Sequence, residues 1–113
     1  MSLKGQTILL VEDELLLSLD LAATLEDKGA KVVSAKKIAE AFALIDVGIN
    51  GAIVDHVLSD GDSRALCEQL HERSIPFVNY TGYDIDEGAC RHGPTVTKPA
   101  PPEKVAEALQ QLM

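Results

Sequence analysis

Apolar residues fall along this chain in two alternating rhythms. Short apolar runs, too brief for helices and rich in β-branched residues, occur at Thr7–Val11 (TILLV), Lys31–Ser34, Gly51–Val54, Pro76–Tyr80 and Thr95–Thr97. Runs of this kind predict buried parallel strands. Between them, apolar positions recur at helical spacing. Leu15–Lys28 reads as a helix ended by Gly29, with Leu21, Ala22 and Leu25 facing the sheet. Ile38–Val47 reads as a second, with Ile38, Phe42 and Ile45 on one face and a stop near Gly48. Ser63–Arg73 turns Leu66 and Leu70 inward, and Pro102–Met113 does the same with Val105, Leu109 and Leu112. Asp84–His92 is poorly periodic and leaves room for one short helix. The order βαβαβαβαβα predicts one α/β domain over residues 1–113, with a parallel sheet, helices on both faces and right-handed crossovers.

Composition narrows this picture. The 113 residues, 46% of them hydrophobic, suit one globular core. No apolar run approaches a membrane span, and MSLKGQT has no signal-peptide core, so a cytoplasmic protein is expected; the alternation stops after the fifth helix, so no output domain is expected. A net charge of −8 disfavours direct contact with nucleic acid or an acidic membrane, and fits a cation site or a basic partner. Cys67 and Cys90 form no CxxC. Cys67 falls beside Leu66 and Leu70 as a small core filler, and no disulfide or zinc framework is expected.

The chemistry gathers at strand ends. The run GAIVDHVLSDG (Gly51–Gly61) carries an Asp directly after a buried strand, where an open α/β sheet meets solvent and binds ligands. The first strand runs into Glu12, Asp13 and Glu14, the fourth gives Thr81, and the fifth gives Lys98. Crowded carboxylates raise one another's pKa unless a cation sits among them, and hard oxygen ligands suit Mg²⁺. A hydroxyl and an ammonium nearby suit an anion, such as a phosphoryl group carried by Asp55.

The pieces ILLVEDE, IVDHVLSDG, YTG and TKP, in this order and each at the end of a predicted strand, resemble the receiver domain of two-component response regulators. The resemblance covers Thr7 to Leu112. It implies a flavodoxin-like sheet of strand order 2-1-3-4-5. It implies Asp55 as phosphoacceptor and Mg²⁺ held by Glu12, Asp13, Asp55 and the backbone carbonyl of Val57. Thr81 would bond a phosphoryl oxygen in the active state, and Lys98, before a typically cis Pro99, would pair with the phosphoryl group. The implied partners are a histidine kinase or histidine phosphotransfer protein and a downstream protein target.

Departures from the family are informative. Ser59 stands where a proline often follows the acceptor-loop leucine, and only 17 positions separate Thr81 from Lys98, so the fourth helix is expected to be short or remodelled. The aromatic usually three residues before the lysine is replaced by Thr95. Asn79-Tyr80-Thr81-Gly82-Tyr83 is similar in part to the FATGY-like motif of some single-domain receivers, which makes Tyr83 and Tyr80 the switch candidates, against plain packing roles. Leu16, Leu19 and Ala23 share a second face of the first helix and form a candidate surface for a homodimer or for the kinase's helices.

Two rival functions bracket this reading. A Mg²⁺-dependent aspartyl phosphatase needs a second Asp where Val57 stands, and a cap domain. A degenerate receiver acting only as an interaction module conflicts with five filled site positions. The bland alternatives are a solvated helix start at Glu12–Glu14, a surface Lys98 and a turn-forming Thr81. His56 is read as a loop side chain facing a partner, and His71 and His92 as surface histidines without metal-ligand spacing.

Overall fold

Strand β1 (Thr7–Val11) is fully buried from Ile8 to Val11. Its side chains point alternately to two covered faces, so the run stays apolar instead of alternating with polar residues. In the computed structural model, which describes residues 2–82 and 89–113, β1 pairs in parallel with β2 (Lys31–Ala35) and β3 (Gly51–Val54). Next to β3 lies β6 (Phe77–Thr81), and next to β6 lies β7 (Thr95–Thr97), both parallel. The order β2-β1-β3-β6-β7 is the expected 2-1-3-4-5 once a separate hairpin, β4 (Val57–Leu58) with β5 (Gly61–Asp62), is set aside.

The described residues form four α-helices: α1 (Leu15–Asp27), α2 (Ile38–Leu44), α3 (Arg64–Glu72) and α4 (Pro102–Gln110). Leu9, Val11, Ala52 and Val54 join Ala41, Leu66 and Leu70 in one core, on the α2 and α3 side. Ile8, Leu10, Ile53 and Val78 join Leu21, Leu25, Val105 and Leu109 in the other, on the α1 and α4 side. Adjacent strand residues thus serve opposite cores, as the two-residue period requires.

Several boundaries differ from expectation. The second helix tightens into a 3₁₀ turn at Ile45–Val47. Strand β6 begins one residue later than expected and ends on Thr81 itself. The last helix stops at Gln110, so Leu112 is 43% exposed rather than inward. At the start of α3, Asp62 accepts the Arg64 N–H at 3.0 Å. Asp60, from the hairpin turn, reaches across to α2 and accepts the Ile38 and Ala39 N–H groups at 2.8 and 3.1 Å. Those are orphan donors of a helix start.

Within the stretch expected to hold a short helix, Ala89–His92 is a 3₁₀ helix. Tyr83 and the rest of 83–88 lie outside the described residues. Cys67 and Cys90 are joined in a disulfide, which corrects the expectation of none. Cys67 faces inward from α3 and the 3₁₀ helix packs against α3, a meeting that no spacing in the sequence reveals. Gly93 follows that helix so close to β6 that a Cβ there would lie 2.4 Å from the Phe77 carbonyl oxygen. Among the described residues, no helix is long and apolar enough to cross a membrane.

Candidate functional site at the carboxyl edge of the sheet

Backbone hydrogen bonds carry the chain one residue past the strand ends. Glu12 N–H donates to Ala35 O, Asp55 N–H to Val11 O, and Lys98 N–H to Thr81 O, each at 3.0 Å. This fixes Glu12, Asp55 and Lys98 at one edge, with Thr81 as the last residue of β6. All four lie where the sequence predicts them.

The side chains meet there. Lys98 Nζ donates to Glu12 Oε1 at 2.7 Å and to Asp55 Oδ2 at 3.1 Å, with Glu14 Oε1 at 3.8 Å. The second oxygen of Glu12 accepts the Asp13 N–H at 3.0 Å and, more distantly, the Glu14 N–H at 3.4 Å. Glu12 is 2% exposed and Asp55 7%, while Thr81 is fully buried. Asp13 is exposed. Each of Glu12, Asp13 and Asp55 offers a carboxylate oxygen within 4.8 Å of the others. An all-oxygen set with open solvent on the Asp13 side fits a small hard cation that keeps some of its water.

The electrostatics follow from this crowding. Burial pushes the Glu12 carboxyl up to about 7; the Lys98 hydrogen bond opposes it and the Asp55 charge adds to it. For Lys98, burial works against the charged form, but the hydrogen bonds to Glu12 and Asp55 outweigh it and raise its pKa above the usual lysine value. One ammonium therefore faces two buried carboxylates and an exposed third, a site short of positive charge.

The other candidates separate. Val57 lies in the β4–β5 hairpin two residues after Asp55 and is 42% exposed. The Lys98–Pro99 peptide is cis. His56 is half-buried, with Nδ1 3.5 Å from Ser63 Oγ. His71 and His92 stack at 3.7 Å beside Phe77, at the opposite end of β6 from Thr81. Leu16 and Leu19 are 78% and 57% exposed, and Ala23 is exposed too.

Sequence reasoning missed two features of β6. Asn79, fully buried, donates to Cys90 O at 2.7 Å and Gly93 O at 3.1 Å, tying the strand to the segment that follows it. A polar residue inside FVNYT was the available signal. Tyr80 bonds the backbone of Ala100.

Comparison with protein-family models gives no match, and comparison with curated proteins gives none. Solved structures are similar over nearly the whole chain. SdrG from Sphingomonas melonis Fr1 is 39% identical, with 99% of this chain and 98% of that chain covered and a TM-score of 0.77. A response regulator receiver protein from Sinorhizobium medicae is 27% identical over 98% and 96% of the two chains, with a TM-score of 0.87. The response regulator TrrA from Thermotoga maritima, in complex with Mg²⁺ and BeF, shares the fold at 17% identity, 96% and 99% coverage and a TM-score of 0.82.

Proposed function

Because this chain belongs to the family of response regulator receiver domains, we propose that it is a phosphorelay receiver whose acceptor is Asp55. The observation that carries the reading is the Asp55 carboxylate at the mouth of the sheet, held by Lys98 at 3.1 Å and close to two further carboxylates. A carboxylate oxygen of Asp55 attacks the phosphorus of a phosphohistidine on a histidine kinase or phosphotransfer protein. The P–N bond breaks, and its electron pair stays on the imidazole, which takes up a proton. Lys98 neutralises charge on the transferring group, and Thr81 supplies a hydroxyl to a phosphoryl oxygen. Glu12, Asp13, Asp55 and the Val57 carbonyl would hold Mg²⁺, which supplies further charge neutralisation. Water later attacks the phosphorus, the P–O bond to the carboxylate breaks, and inorganic phosphate leaves with the Asp55 carboxylate restored. The chain thus catalyses only its own phosphorylation and dephosphorylation, in the cytoplasm, and acts by changing how it binds a downstream protein. The α1 face of Leu16, Leu19 and Ala23 is the proposed surface for the donor's helices or a second copy.

The test is intact-mass measurement after incubation with acetyl phosphate. One phosphoryl group is expected with Mg²⁺ present and little without it. No mass gain under either condition would contradict the reading.

A further inference from the structure

We propose that Tyr80 is a positioning residue for Lys98, acting through the loop that begins at Lys98. The inference rests on the phosphorylation reading above. Tyr80 is 2% exposed, immediately before Thr81 on β6. Its hydroxyl donates to Ala100 O at 2.8 Å and accepts from Ala100 N–H at 3.3 Å. Both backbone polar groups of one loop residue thus end on a single phenol oxygen. The ring of the same side chain lies 5.4 Å from Lys98 Nζ, within cation–π range.

Lys98 requires such support. A lysine side chain is a flexible stem that loses rotamer freedom when its ammonium is held in one place. A cavity of about 320 Å³ lined by Glu14, Leu17, Tyr80, Lys98 and Pro99 opens beside it. Packing alone therefore does not confine the ammonium to Glu12 and Asp55. The backbone of Lys98 is fixed on one side by its N–H bond to Thr81 O. Two residues further on, Tyr80 fixes Ala100, so the loop is clamped on both sides of the Lys98–Pro99 peptide. A plain core filler would explain the ring but not the two-way hydrogen bonding of the hydroxyl. Tyr80 belongs to the α1 and α4 core, whereas Asn79 beside it ties β6 to the Cys90–Gly93 segment. Its role is thereby distinct from that of a switch in the segment after β6.

The test is a double-mutant cycle on the full chain. The rate of phosphoryl incorporation from acetyl phosphate with Mg²⁺ is measured for the parent, Tyr80→Phe, Lys98→Ala and the double variant, followed long enough to quantify the slowest. Tyr80→Phe is expected to slow the parent about fivefold, the scale of one net hydrogen bond, and to cost less than about twofold once Lys98 is gone. Amide exchange at Ala100 should accelerate in Tyr80→Phe. Equal fold losses in both backgrounds, no loss in the parent, or unchanged exchange at Ala100 would overturn the proposal. A parent that takes no label overturns the phosphorylation reading and this inference with it; a labelled parent with equal losses overturns this inference alone.

Discussion

Lys98 Nζ lies 2.7 Å from Glu12 Oε1, although 86 residues of sequence separate the two. Strand order brings them together: β1 and β7 are not neighbours, yet both end at one edge and the Lys98 side chain spans the gap past Asp55. A partly buried ammonium shared by two carboxylates offsets only part of their desolvation. The remaining deficit appears as the raised pKa of Glu12.

That deficit makes metal-free stability depend on pH with a defined sign. The folded carboxyl of Glu12 titrates near 7, above its ordinary value of 4.5. A raised folded pKa contributes stability below the unfolded value, and the contribution is lost as pH rises through the folded one. Relative to Glu12→Gln, the parent in the presence of a chelator should lose roughly 3 kcal/mol between pH 4.5 and 7.5. Urea unfolding of both proteins across that range checks it; a constant difference would contradict it.

Asp13 is exposed while Glu12 and Asp55 are buried, so its removal tests metal binding with little effect on the core. Asp13→Ala should raise the Mg²⁺ concentration needed for labelling by at least about tenfold, the scale at which even outer-shell partners matter. Its unfolding midpoint should remain that of the parent. A Mg²⁺ titration of labelling rate measures this.

Gly93 is expected to reject any side chain. A Cβ there would meet the Phe77 carbonyl oxygen at 2.4 Å and its ring at 2.7 Å. Gly93→Ala should destabilise by about 1–3 kcal/mol, as overpacking does, read from urea unfolding. It should also displace the Cys90–Gly93 segment held by Asn79, read from amide shifts at those residues.

The leucines on α1 provide a test of docking. Leu16→Asp combined with Leu19→Asp should weaken phosphoryl transfer from a histidine donor or self-association, while labelling by acetyl phosphate continues at the parent rate. Unchanged transfer and an unchanged oligomeric state by light scattering would remove this surface from the account.

The fold was legible because the strands are short apolar runs, those at the centre of the sheet (β1, β3 and β6) facing two cores. Asp55, Glu12 and Lys98 were legible because a charged residue directly after such a run has only the sheet edge to occupy. What escaped the sequence depends on partners remote in the chain. Asp60 caps α2 from 22 residues away, and Asn79 reaches Gly93 across 14. Cys67 finds Cys90 only because the 3₁₀ helix packs on α3. Leu112 keeps helical spacing with Leu109, but α4 has already ended at Gln110. Tyr83, a switch candidate, lies outside the described residues, whereas Tyr80 is turned toward the Lys98 loop.

The central claim is that Asp55 carries the phosphoryl group, and the most direct test is to locate it. After labelling with acetyl phosphate and Mg²⁺, borohydride reduction marks the modified carboxylate, and peptide mass spectrometry reads its position. The account predicts the mark at residue 55 and none in Asp55→Asn. A mark at Asp13 or another carboxylate in the parent, or undiminished labelling of Asp55→Asn, would contradict it.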